Sequence, residues 1–167
     1  PDENQVAVLD GPSEKTRIPV TGAPVAVATD GASGLVYVAC ETGRSIARLQ
    51  NEQVITTTDL GITPTHVGVN AGSGHVYVSN VDNTVRILKN DTVVATVPLT
   101  GPTAIGADPL ANRTYVLSSY TLEIDKLAGW IGVFEGAALV DVISLGSQRI
   151  PNALDVNPES GFAYVVA

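Results

Sequence analysis

The residues able to do chemistry are few and do not converge along the chain. His66 and His75 are the two histidines, Cys40 the single cysteine and Trp130 the single tryptophan of 167 residues. His66 follows Pro64-Thr65, at a place where three comparable segments carry Ala26, Ala104 and Ala153. An imidazole has replaced a small side chain there, and near neutral pH it can exchange a proton or bind a metal. It is a weak candidate for a general base; a partly buried, hydrogen-bonded histidine is the simpler role. His75 belongs to a turn at the opposite end of the same segment pair, so the two imidazoles cannot share a metal or a proton relay within one unit. With no third histidine and no Cys-x-x-Cys pair, neither a histidine-built metal site nor a haem attachment is expected. Cys40 can form no intrachain disulfide and reads as a small buried residue at a strand end.

Asp30, Asp59, Asp82, Asp108, Asp141 and Asp155 are scattered, and several, as in Asp30-Gly31 and Asp108-Pro109, are explained by turn chemistry. No nucleophile elbow, phosphate-cradling loop or EF-hand loop occurs, and no cofactor is expected. The other candidate is a segment at 119–130 that lengthens one stretch of the chain and carries Tyr120, Glu123, Asp125 and Trp130. It reads as a loop between the second and third strands of its unit, and loops that depart from a regular repeat tend to carry binding groups. A Trp with a Tyr suits a protein hot spot or a sugar-stacking surface. Trp130, Tyr120, Glu123, Asp125 and His66 are therefore the expected binding residues. Asn90-Asp91-Thr92 and Asn112-Arg113-Thr114 are glycosylation sequons.

Charge narrows the partners. Nine Lys and Arg stand against 17 Asp and Glu, a net charge of −8. Binding to nucleic acid requires a basic footprint that displaces counterions from phosphate, which this balance excludes. An anionic membrane surface is disfavoured for the same reason. Apolar residues make up 44% of the chain, yet none of their runs approaches the roughly 18 residues of a membrane span. No secretory leader is visible at Pro1, and the lack of Met leads to the expectation of a processed product or an excised piece.

The elements that position these residues repeat. Tyr-Val pairs occur at Tyr37, Tyr77, Tyr115 and Tyr164, spaced by 40, 38 and 49 residues. Each follows a Pro, a short alternating apolar run and a Gly- or Asn-bearing turn. The runs open at Pro24, Pro64, Pro102 and Pro151. Two more β-rich runs follow each of the first three pairs: 45–49 and 53–58, 84–88 and 92–97, 130–134 and 138–144. Four short strands per unit of about 40 residues, rich in Val and Thr and without helical periodicity, is the pattern of propeller blades. The expected architecture is an all-β propeller of about four blade equivalents, each a four-stranded antiparallel meander. Its blades span 22–60, 61–100 and 101–145, with half blades at 1–21 and 146–167. The C-terminal half supplies the first two strands of a blade and the N-terminal half the last two. Joined head to tail, Tyr164 to Val6 is 9 residues, as Tyr37 to Ile46 is 9.

With Tyr77-Val78-Ser79-Asn80 followed by Asp82-Asn83-Thr84-Val85, the chain resembles the YVTN-repeat β-propeller family. The other repeats depart from the motif, as in Tyr37-Val38-Ala39-Cys40, Tyr115-Val116-Leu117-Ser118 and Tyr164-Val165-Val166-Ala167. The resemblance implies rings of more than four blades in surface-layer, secreted or periplasmic proteins. A non-enzymatic extracellular or cell-surface scaffold is the expectation. Its protein or glycan ligand would bind on the face of the 119–130 insertion. Its half blades would be completed by strand exchange between chains, by the remainder of a longer propeller from which the chain is cut, or by closure within the chain as a four-bladed ring. The rival is part of a propeller enzyme, lyase- or lactonase-like, with His66 as base at the channel mouth. In a meander the insertion and His66 share one end, and the two sequons lie at the other.

Overall fold

Alternating β-branched residues interrupted by Gly, Asn and Asp turns fold here entirely as strands and turns. The protein is described by a computed structural model covering residues 4–123, 126–147 and 150–167. Sixteen strands occur among the described residues: β1 (Gln5–Asp10), β2 (Ser13–Pro19), β3 (Pro24–Asp30), β4 (Leu35–Cys40), β5 (Ser45–Gln50), β6 (Gln53–Asp59), β7 (Pro64–Asn70) and β8 (His75–Asn80), then β9 (Thr84–Lys89), β10 (Thr92–Pro98), β11 (Pro102–Asp108), β12 (Arg113–Glu123), β13 (Lys126–Glu135), β14 (Ala138–Ser147), β15 (Ala153–Asn157) and β16 (Phe162–Val166). They form three four-stranded antiparallel sheets, β3–β6, β7–β10 and β11–β14, flanked by the two-stranded sheets β1–β2 and β15–β16.

The turns follow from residue type. Asn51, Asn90 and Asn112 take positive φ of 50°, 50° and 55°, a conformation Asn tolerates better than most residues. In each four-stranded sheet the outer strand skips one residue against its partner, at Ile55, Val94 and Val140. The β1–β2 pair skips Lys15 at the equivalent place.

Successive sheets stack face to face, with first strands side by side: β7 packs on β3 and on β11, and β11 on β15. Glycine makes this approach possible, since a Cβ on Gly68 would lie 2.4 Å from Ile105 Cγ2 and one on Gly106 2.4 Å from Leu154 Cδ2. Farther out, the seam between the second and third sheets is filled by Tyr77, Val85, Ile87, Val116 and Phe134, all fully buried. Tyr77 meets Phe134 edge-on, ring centroids 5.7 Å apart, and its hydroxyl donates to Gly136 O at 2.6 Å. Tyr37 and Ile46 fill the preceding seam with Val76 and Leu88. The β1–β2 hairpin lies against the outer part of the first sheet through Ile18, Val20, Val38 and Leu49. Cys40 ends β4 fully buried, as expected of it.

Asp30 and Asn70 hold the turns that close the first strand pairs. The amides of Ala32 and Ser33 donate to Asp30 Oδ1 at 2.9 and 3.3 Å, and Ser33 Oγ donates to Oδ2 at 2.6 Å. Burial alone would raise the Asp30 pKa, but the three donors prevail and hold it below the ordinary carboxylate value. A carboxylate depressed in the folded state contributes stability that is present above its unfolded pKa and lost as pH falls through the folded one. The molecule should therefore lose stability below about pH 4. Asp30→Asn should flatten this acid limb when urea midpoints are measured against pH; an unaltered limb would exonerate Asp30.

The segment at 119–130 departs from the expected loop. It is taken up into the sheet as the prolonged ends of β12 and β13, paired Ser118 to Trp130, Ser119 to Gly129, Tyr120 to Ala128 and Glu123 to Lys126. Lengthening both partners equally leaves the register of the rest of the sheet intact, so an extended hairpin satisfies its backbone groups where a loop would not.

Candidate functional site

The prolonged β12–β13 hairpin carries Trp130 at the end of the seam between the second and third sheets. Trp130 stands on the face of β13 that also presents Gly132 and Phe134 to the second sheet. Gly132 leaves room for Leu99, whose Cδ2 would be 3.2 Å from a Cβ placed there. Above this point the seam opens into a cleft of about 260 Å³ lined by Pro98, Leu99, Thr100, Ser118, Trp130 and Val142. Ser118 Oγ donates to Thr100 O, tying the hairpin side of the cleft to the end of the second sheet. The walls thus combine one partly exposed indole, aliphatic side chains and a few hydroxyl and carbonyl groups. That arrangement is suited to stacking and shallow hydrogen bonding.

The expected binding residues are placed as follows. Trp130 lines the cleft. Tyr120 and Glu123 lie in β12, opposite Ala128 and Lys126, farther out along the same hairpin. Asp125 lies outside the described residues. His66 sits in β7 opposite Ser79, at the end of its sheet that the topology shares with the hairpin. Its Nδ1 is 3.2 Å from Thr65 Oγ1, which itself donates to Ser79 O at 3.2 Å. Burial lowers the His66 pKa, disfavouring the charged ring. His75 is buried beside Tyr77, ring centroids 6.4 Å apart, at the other end of the sheet. Among the described residues no three His, Cys, Asp or Glu side chains come together. No helix of the described residues is long and apolar enough to cross a membrane. Asn90 and Asn112 are exposed in turns at the end opposite the hairpin.

Sequence reasoning found Trp130 but not its companions Pro98, Leu99 and Thr100, which come from the close of the preceding repeat. The only available signal was positional: the last strand of each repeat must end beside the next repeat's third strand.

No family model and no curated protein matches the sequence. Solved structures do. A chain of Kuenenia stuttgartiensis hydrazine synthase superposes with a TM-score of 0.80 at 13% identity, over 97% of this chain and 49% of that one. A chain of the nidogen/laminin complex superposes with a TM-score of 0.69 at 16% identity, over 96% of this chain and 65% of that one. The present chain thus spans about half and about two thirds of these proteins. At such identities the likeness is one of fold. With antiparallel four-stranded sheets stacked around their first strands, that fold is a β-propeller.

Proposed function

We propose that the chain is a binding scaffold of the YVTN-repeat type, acting at a cell surface or outside the cell, whose ligand sits on the face of the β12–β13 hairpin. One observation carries this reading: the irregular hairpin places the single Trp in an open, mixed-polarity cleft between two rigid sheets. The neighbouring fold from the nidogen/laminin complex belongs to a protein assembly, which supports interaction as the use of such a propeller. Sugars on Asn90 and Asn112 would coat the opposite end and leave the hairpin clear. In this reading the chain comprises blades 22–60, 61–100 and 101–145, with half blades 1–21 and 146–167 that complete one another between chains. The shared skip at Lys15, Ile55, Val94 and Val140 supports the assignment of β1–β2 as the outer pair of a blade.

The test is binding of the labelled chain to arrayed oligosaccharides and purified surface glycoproteins. Trp130→Ala should weaken any ligand so identified at least tenfold, about 1.4 kcal/mol, while leaving the melting curve nearly unchanged. Equal binding by the variant would remove the hairpin face from consideration. Turnover abolished by His66→Ala would instead promote the enzymatic alternative.

A further inference from the structure

At the end opposite the prolonged hairpin, the seam between the second and third sheets closes on His75. The same place in the other repeats, two residues before the tyrosine, holds Leu35, Arg113 and Phe162. His75 is 9% exposed, and its Nδ1 is buried with no hydrogen-bond partner. Side chains alternate along β8 and β9, so His75, Tyr77, Ile87 and Lys89 stand on the face turned to the third sheet. Across the seam lies the β13–β14 turn. A Cβ on Gly136 would be 3.5 Å from His75 Cε1, and Gly136 O accepts from the Tyr77 hydroxyl. Lys89 is the charge that bears on His75 among the described residues, and it disfavours protonation, as burial does more strongly. The nearby carboxylates are engaged elsewhere. Glu135 stands on the other face of β13 and pairs with Arg113 at 3.0 Å. The Asp108 carboxylate accepts from the amides of Leu110 and Ala111, and Asp91 is turned to the first sheet, 2.9 Å from Arg48. The preceding seam closes differently. Leu35 takes the place of His75 in its apolar cluster, and the β9–β10 turn is tied across by Arg48 to Asp91 and by Thr58 Oγ1 donating to Asp91 O at 3.0 Å.

We propose that His75 is an acid release for this joint: when its ring takes a proton, the β13–β14 turn leaves the second sheet and the seam opens from that end, while the preceding seam stays shut. Protonation sets a buried cation beside Lys89 with no carboxylate turned to it, and opening returns the ring to water. The neutral ring is the one the closed joint favours, so closure is at full strength above the ordinary histidine pKa of about 6.5. Below it the ratio of closed to open falls about tenfold per pH unit, until the ring is protonated in the closed joint as well. This window lies above the acid limb of Asp30, so the two are separable by titration. The joint that yields belongs to the seam whose other end carries the Trp130 cleft.

The experiment is thiol trapping in the full chain. Val85→Cys and Ile46→Cys report the two seams from equivalent, buried register positions, each in a Cys40→Ser, His66→Ala background. His66→Ala removes the other imidazole whose charge burial disfavours and restores the residue of the other three repeats. The labelling rate with a pyridyl disulfide, divided by that of free cysteine at the same pH, measures opening. Between about pH 7.5 and about pH 5.5 the Val85→Cys thiol should become about tenfold more accessible, and the Ile46→Cys thiol should not. His75→Leu, which installs the residue of the first repeat, should abolish the change. Ile87→Cys reports the same seam should Val85→Cys fail to fold. Accessibility at Val85→Cys that ignores pH overturns the proposal, as does a rise that survives His75→Leu. An equal rise at Ile46→Cys also overturns it, since the whole fold and not one joint would then be yielding.

Discussion

Tyr77→Ala is expected to cost about 3–5 kcal/mol and to lower the melting temperature by about 10 °C. The side chain is wholly inaccessible, and its neighbours Val85, Ile87, Val116 and Phe134 belong to two sheets that cannot collapse onto the space without shifting as bodies. A large aromatic removed from so rigid a seam leaves most of its volume as a cavity. Tyr77→Phe isolates the hydroxyl, whose 2.6 Å bond to Gly136 O is worth about 1 kcal/mol. Thermal melts of the two variants should differ severalfold in effect. Near-identical melts would show that the hydroxyl bond, not the packed ring, holds the seam.

Asn70→Ala should cost about 3 kcal/mol for a different reason. The Asn70 amide is fully buried and works in two directions. Its Oδ1 accepts from the amides of Gly72 and Ser73 at 3.0 and 3.2 Å, holding its own turn. Its Nδ2 lies within 3.0–3.3 Å of Arg113 O, Thr114 Oγ1 and Asp108 O, all in the next sheet. Truncation leaves these groups without their partner in a place water does not reach. Asn70→Asp should also destabilise, since it keeps the acceptor for the Gly72 and Ser73 amides but sets a carboxylate oxygen against the Arg113 and Asp108 carbonyls; one local contact offsets part of the loss. The buried Ser73 hydroxyl lacks a partner and stands where, one repeat earlier, Ser33 Oγ donates to Asp30. Urea denaturation of both variants gives the comparison; equal losses would mean that the donations across the seam dominate entirely.

The repeat made most of the architecture legible. Pro, the Tyr-Val pair and the turn Asn and Gly residues recur at fixed separations because every sheet solves the same packing problem. The short strands therefore fell within a residue or two of their expected places. The hairpin at 119–130 was misread because spacing alone cannot distinguish a loop from an equal lengthening of two adjacent strands. Both add residues between the same flanking motifs. Trp130 could be singled out by its rarity, whereas Pro98, Leu99 and Thr100 look like an ordinary strand end until the neighbouring sheet is set beside them. The seat of Tyr77 was invisible for the same reason, since it joins side chains of two repeats.

The skipped residues of the outer strands have a consequence for how such molecules crowd together. Ile55, Val94 and Val140 are about half exposed on the perimeter, and an unbroken ladder there would invite lateral stacking of one perimeter upon another. The kink at each of them spoils the straight run of amides and carbonyls that a foreign strand needs. Lys15 puts a charge at the fourth such place. The perimeter of the sheets is thereby passivated against a foreign strand, although its side chains remain largely aliphatic.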